Sequence, residues 1–281
     1  MIIWIASYPK SGNTYLRAFL ASYYYSEDGN FDFNQLLKIH QFPNIKLSKF
    51  TPNTKEEASK NWMFNQNAFF ERKKFNLVKT HNCLYPYKEN NFTSKNETIG
   101  AIYIVRDPRN LITSLKHHYS IDYEKAMELM LDENSSLLEK SHDKDFSNFT
   151  YLNSWSNHYN SWKNSSDFKT LFIKYEDLEK NKTEIFKKII FFINEITENN
   201  QKIDEKKLSN SIKTTNFSNL KNKELNEGFE ESVHSKITGK KINFFNLGFN
   251  NRWQKILPLE VKNKASEIFK KNLNELDYPN E

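Results

Sequence analysis

A short apolar run, Ile2 to Ala6, closes on Ser7-Tyr8-Pro9 and passes through Lys10-Ser11-Gly12 into a helical pattern from Asn13 to Tyr25. This opening constrains the fold more than any other feature. A continuous apolar run bounded by turn-forming residues reads as a strand buried on both faces, as in a parallel sheet. Leu16, Phe19, Leu20 and Tyr23 then fall at helical spacing. The first unit is therefore strand, tight loop, helix.

The alternation continues along the chain. Strands are predicted at Phe75 to Thr80, Ile99 to Val105 and Thr170 to Lys174. Helices are predicted over 56–70, 109–119, 123–140, 153–162, 184–196, 204–213 and 258–273. Residues 26–54 read as irregular and 141–149 as a polar loop. Periodicity disappears over 221–251, a polar stretch with Gly228, Gly239 and Gly248, which is expected to form a mobile cover over a cofactor or acceptor site. Strands alternating with helices predict an α/β fold: a parallel sheet flanked by helices, in one domain over residues 1–281.

Composition narrows the class. The 23 Phe, 14 Tyr and 5 Trp supply much of the core. The net charge of +6 is spread along a Lys-rich chain, which fits a solvated surface or attraction of a small anion. No Arg-rich tract with interleaved aromatics occurs, so no nucleic-acid partner is expected. The single cysteine, Cys83, cannot form an intrachain disulfide, which fits a reducing compartment. The apolar N-terminus lacks the length and basic flank of a signal peptide, and no stretch reaches about 18 apolar residues. A cytoplasmic protein without a membrane span is expected.

The first loop is the leading candidate site. A strand feeding a glycine turn and then a helix N-terminus presents free amides and a dipole to an anion. Lys10 adds a mobile cation, and Ser11, Asn13 and Thr14 add neutral donors. The same residues also suit an ordinary helix start. The G-x-x-x-x-G-K-[ST] phosphate loop is absent. Lys79 and His81 stand two apart at the end of the second strand, on one face, at the carboxyl edge where open α/β sheets bind ligands. His81 suits a general base or a structural role. Arg106 ends the third strand and suits a phosphate or a local pair with Asp107. Ser114 lies eight residues on, inside the next helix.

Taken in order, these segments resemble the sulfotransferases that use 3′-phosphoadenosine 5′-phosphosulfate (PAPS). Tyr8 to Tyr15 resembles the family's 5′-phosphosulfate loop, Tyr-Pro-Lys-Ser-Gly-Thr-Thr-Trp. Lys79-Thr80-His81 is similar to its Lys-Thr-His segment. Tyr103 to Tyr119 is similar to its 3′-phosphate segment, and Leu171 to Leu178 to the segment whose Tyr contacts adenine. The resemblance implies a P-loop-like sheet and in-line sulfuryl transfer without a metal. The acceptor would be a small molecule: an alcohol, phenol, amine or sugar. It implies His81 as base, Lys10 and the loop amides on the departing phosphate, and Lys79 on the sulfuryl oxygens. Thr14 would hold the 5′-phosphate, with Pro9, Ser11, Gly12 and Asn13 completing the loop. Arg106 and Ser114 would hold the 3′-phosphate, and Tyr15 and Tyr175 the adenine. The last block departs from the family's Arg-Lys-Gly, Gly and Asp-Trp. Asn246-Leu247-Gly248-Phe249-Asn250-Asn251-Arg252-Trp253 keeps the spacing of Gly248 and Trp253 without the basic pair, and Lys240, Lys241 or Arg252 are candidates to replace its charge. A nucleotide kinase and a non-catalytic nucleotide-binding module are the rival readings.

Overall fold

The structure, a computed structural model, describes residues 1–138, 145–234 and 238–279. The chain opens with β1 (Ile2–Ser7) and α1 (Asn13–Tyr25). It continues through β2 (His40–Gln41), α2 (Lys55–Lys60), α3 (Trp62–Phe69), β3 (Asn76–Thr80), β4 (Thr98–Val105), α4 (Pro108–Tyr119) and α5 (Tyr123–Leu131). Then come β5 (Ser136–Leu137), β6 (Thr150–Tyr151), α6 (Trp155–Lys163), β7 (Lys169–Lys174), α7 (Asp177–Lys180) and α8 (Lys182–Ile196). The C-terminal part holds α9 (Glu205–Thr214), α10 (Phe217–Glu227), β8 (Val233–His234), β9 (Lys241–Ile242), α11 (Trp253–Ile256), α12 (Leu259–Ile268) and α13 (Lys270–Glu275).

Five parallel strands form the central sheet in the order β2-β3-β1-β4-β7. β1 sits in the middle, and all six of its residues are buried, which explains its unbroken apolar sequence. Its side chains alternate between two cores. Ile3 and Ile5 face α1, α8 and α9, while Ile2, Trp4 and Ala6 face α4, α5, α6 and α12. Helices therefore cover both faces, as the strand–helix alternation predicts. No helix among the described residues is long and apolar enough to cross a membrane.

The register aligns the carboxyl ends. Ala6 pairs with Thr80, Ser7 with Ile104 and Val105 with Lys174. The residues that follow these strands, Tyr8, His81, Arg106 and Tyr175, emerge along one rim. The chain leaves β1 towards β3 on one side and β4 towards β7 on the other. Such a reversal of strand order opens a crevice at that rim.

Four predicted elements differ in extent. The helix expected over 56–70 divides at Asn61, whose ψ of −2° and side-chain bond to the Glu57 carbonyl (2.8 Å) end α2. The helix expected over 123–140 stops at Leu131, because the extended Asp132 folds its carboxylate onto the Asn134 amide (2.8 Å). Residues 139–140 of that helix, and 141–144 of the polar loop expected over 141–149, lie outside the described residues. The last helix divides at Phe269 into α12 and α13. The stretch 221–251 is not wholly irregular, since α10 runs into it to Glu227. The inward residues of α10 are Leu220 and Glu224, and a buried carboxylate at a core position hides the apolar stripe. Glu224 accepts from Ser232 Oγ (2.5 Å) and from the amides of Phe244 (2.6 Å) and Phe245 (2.8 Å), so it organises both limbs of the segment beyond the helix.

Candidate active site

Gly12 sets the shape of the first loop. Its φ of +100° directs the chain from the end of β1 into α1, and Lys10 also adopts a positive φ of 67°. The Ser11 amide donates to the Tyr8 carbonyl (3.3 Å). Asn13 folds its amide back onto the Ile5 carbonyl (2.9 Å) and Ser7 Oγ (3.3 Å), fixing the start of α1 to the strand. The Tyr175 ring lies directly on Gly12, where an added Cβ would come within 2.3 Å of it.

Arg106 joins three parts of the rim. It donates to the carbonyls of Lys10 (3.0 Å) and Gly248 (3.3 Å), and its guanidinium lies 4.4 Å from the Tyr175 ring centroid. The alternative of a local pair with Asp107 is not realised. Asp107 instead binds the buried Arg109 (2.8 Å) and caps α4. Phe249 stacks on Tyr175 (4.8 Å, 21°) and meets Tyr15 edge-on (5.9 Å). Ser114 lies half-buried on α4. Arg252 stands exposed at the start of α11 and makes no contact with this cluster among the described residues. Lys240 and Lys241 are exposed too, whereas Lys221 of α10 reaches the Asn246 carbonyl (3.1 Å).

His81 is held in one orientation. Its Nδ1 lies 2.7 Å from the Ser7 carbonyl, which can only accept, so Nδ1 carries the proton and Nε2 offers its lone pair. His158 Nε2 donates to the His81 carbonyl (3.0 Å) and its Nδ1 accepts from the Tyr103 hydroxyl (2.8 Å). Burial, aided by the charge of Lys79, pushes His81 down to about 3 against the opposing Ser7 hydrogen bond. The imidazole is therefore neutral at ordinary pH. Lys10 packs on the Phe244 ring (3.7 Å) and contacts His118 Nδ1 (3.3 Å). Burial pushes its ammonium down to about 7, opposed by Glu231 and assisted by Arg106 and Lys79.

Two residues that sequence reading does not single out complete the cluster. Glu231 accepts from Thr14 Oγ1 (2.6 Å), Arg17 Nη1 (2.7 Å) and Lys79 Nζ (3.0 Å). Burial opposes its ionisation, but Lys79, Arg17 and the Thr14 hydroxyl outweigh that and hold its carboxyl well below the usual range. Nothing local marks either residue, since the ion pairs span 214 and 152 positions. Of the ten buried polar side-chain atoms without a hydrogen-bond partner among the described residues, five lie on this rim: Ser11 Oγ, Asn13 Oδ1, Tyr15 OH, Arg17 Nε and Arg106 Nε. Buried polar groups are normally bonded, so unsatisfied polar atoms are concentrated beneath this rim.

The sulfotransferase-domain family matches the chain over residues 2–277. The chain belongs to the sulfotransferase family. Among solved structures this sulfotransferase is similar to a mouse sulfotransferase, SULT7A1, complexed with PAP (TM-score 0.60, 20% identity, covering 98% of this chain and 84% of that one). It is also similar to retinol dehydratase in complex with androsterone and PAP (TM-score 0.58, 21% identity, covering 100% and 83%). At these identities the likeness establishes a shared fold. Comparison of the sequence with curated proteins gives no match.

In this sulfotransferase, Gly12→Ala should be strongly destabilising. The new methyl group overlaps Tyr175, and overpacking costs about 1–3 kcal/mol. The positive φ adds about 1–2 kcal/mol for a residue with a Cβ. A loss of at least about 2 kcal/mol is expected in denaturant unfolding; an unchanged midpoint would show that Tyr175 does not rest on the loop.

Proposed function

We propose that this sulfotransferase takes the sulfuryl group from PAPS and passes it in line to a hydroxyl or amine of a small-molecule acceptor. The observation that carries the donor assignment is the convergence of Thr14, Arg17 and Lys79 on one carboxylate beside the N-terminus of α1. Three donors of this kind around a helix start suit a phosphate or sulfate oxyanion. The buried Ser11 Oγ and Arg106 Nε lie along the same rim without hydrogen-bond partners among the described residues, and Tyr175 and Phe249 offer stacked rings to a purine.

PAPS supplies the sulfuryl group and leaves as adenosine 3′,5′-bisphosphate (PAP). His81 Nε2 takes the acceptor's proton as the new bond forms, with Nδ1–H anchored on Ser7. Lys79 neutralises sulfuryl oxygens, and Lys10 with the loop amides stabilises charge on the departing phosphate. Pro9, Ser11, Gly12, Asn13 and Thr14 form the 5′ side of the site, and Tyr15 and Tyr175 its adenine wall. Arg106 and Ser114 take the 3′-phosphate beside Gly248. Lys221 is better placed than Arg252 to bring charge to the 246–248 stretch, since it bonds the Asn246 carbonyl. The described residues 228–234 and 238–251 form the cover over donor and acceptor.

The decisive experiment is transfer from sulfur-labelled PAPS to a broad panel of alcohols, phenols, amines and sugars, with EDTA present. Label should appear in at least one acceptor. Tight PAP binding with no transfer to any acceptor would favour a nucleotide-binding module, and preference for ATP with magnesium would favour a kinase.

A further inference from the structure

Arg17 and Lys79 are each only 6% exposed. Two buried cations a few ångströms apart are costly unless an anion lies between them. Glu231 supplies that anion from far along the chain, and among the described residues the other side chain it bonds is Thr14, in the first turn of α1. The Glu231 side chain is 25% exposed, against 7% for Arg17 and 8% for Lys79, so it is the more accessible member of the cluster. Its backbone belongs to a short arm that leaves α10 at Gly228. Gly228 has a φ of +80°, and an added Cβ there would meet nothing nearer than Lys241 Nζ at 4.0 Å. The arm returns through the two-residue pairing of β8 with β9. Among the described residues its large apolar contact is Phe229 against Phe33 (4.8 Å) and Phe244 and Phe245 (both 5.4 Å).

We infer that the Glu231 carboxylate is an internal anion that occupies the donor's oxyanion seat and is exchanged for the donor when it enters. This rests on the donor assignment proposed above. The seat recognises a tetrahedral, multiply charged oxyanion, such as a phosphate or sulfuryl group. Such a group offers more acceptor oxygens than a carboxylate to Thr14, Arg17 and Lys79, and it leaves neither cation uncompensated. The arm from Gly228 to His234 then moves with Glu231, so entry of the donor and rearrangement of the cover are one event. The ion pairs hold the cover down over the seat until an external anion replaces them.

Glu231→Gln keeps the size and the hydrogen-bonding oxygen but removes the charge; Glu231→Ala removes both. Binding of PAP and of inorganic sulfate, which needs only the seat, is measured by calorimetry for the wild type and both variants. Both variants should bind each ligand about tenfold more tightly or better, because charge-assisted contacts no longer compete. Hydrogen exchange at the amides of 229–234 should speed up on adding PAP to the wild type. Equal affinities in wild type and variants overturn the inference even where PAP binds well. Tighter sulfate binding by the variants without any PAP binding leaves the latch standing and removes the donor assignment. Failure of every protein to bind either ligand overturns the latch, since there is then no seat for Glu231 to close.

Discussion

His81→Ala should lower turnover about 10²–10⁴-fold, the range for loss of a positioned general base, while PAP binds as tightly as to the wild type. The imidazole contacts the Ser7 carbonyl and not the cations of the anion seat, so removing it leaves that seat intact. Its support is layered: Tyr103 orients His158, and His158 holds the His81 backbone. That arrangement keeps one tautomer and aims one lone pair. Burial and Lys79 keep the free imidazole neutral, with a pKa of about 3. A group lowered this far gives no acid limb near 6.5 in kcat/KM, which reports groups of the free enzyme. A bound polyanion offsets the charge of Lys79 and raises the basicity of Nε2 when the proton must be taken. The check is single-turnover transfer beside calorimetric PAP binding. Normal turnover in the alanine variant would place the base elsewhere, and an acid limb near 6.5 would show that His81 is more solvated than its packing implies.

How far the sequence reveals this site depends on how local each feature is. β1, its loop and α1 are legible because an apolar run, a glycine and a 3.6-residue spacing are neighbours in the chain. The other three long strands of the sheet are also readable, and their ends bring His81, Arg106 and Tyr175 to one rim. Glu231 and Arg17 were not legible, because an ion pair across 214 positions leaves no periodic trace. The helix α10 is hidden for a related reason: Glu224 fills a core position and bonds the Phe244 and Phe245 amides, so the segment reads as polar. Phe249 lies in the block that departs from the family pattern. Its stacking on Tyr175 depends on a glycine turn at Gly248, whose added Cβ would strike Phe217 at 2.6 Å.

Lys10→Ala should reduce turnover by about 10²–10³-fold, the scale for losing one donor to a developing oxyanion, and it should also flatten the pH dependence of donor affinity. Lys10 is unusual among the cations of the rim. Packed on Phe244 and against the neutral His118, it has an ammonium that burial lowers to about 7 in the free protein. A phosphate beside it favours the charged form and raises that value in the complex. Below pH 7 the amine is protonated both before and after binding, so affinity is insensitive to it. Between about 7 and the higher value of the complex, binding takes up a proton, and affinity falls as pH rises by up to about tenfold per unit. Turnover follows the same direction, since the neutral amine cannot stabilise the departing phosphate. Titration of PAP at pH 6.5 and 8.5, in buffers of different ionisation heat, reads both the slope and the proton uptake. The wild type should bind more weakly at pH 8.5 with uptake of close to one proton, and Lys10→Ala should show neither effect. A slope that persists in the variant would assign the titration to another group and take Lys10 out of contact with the phosphate.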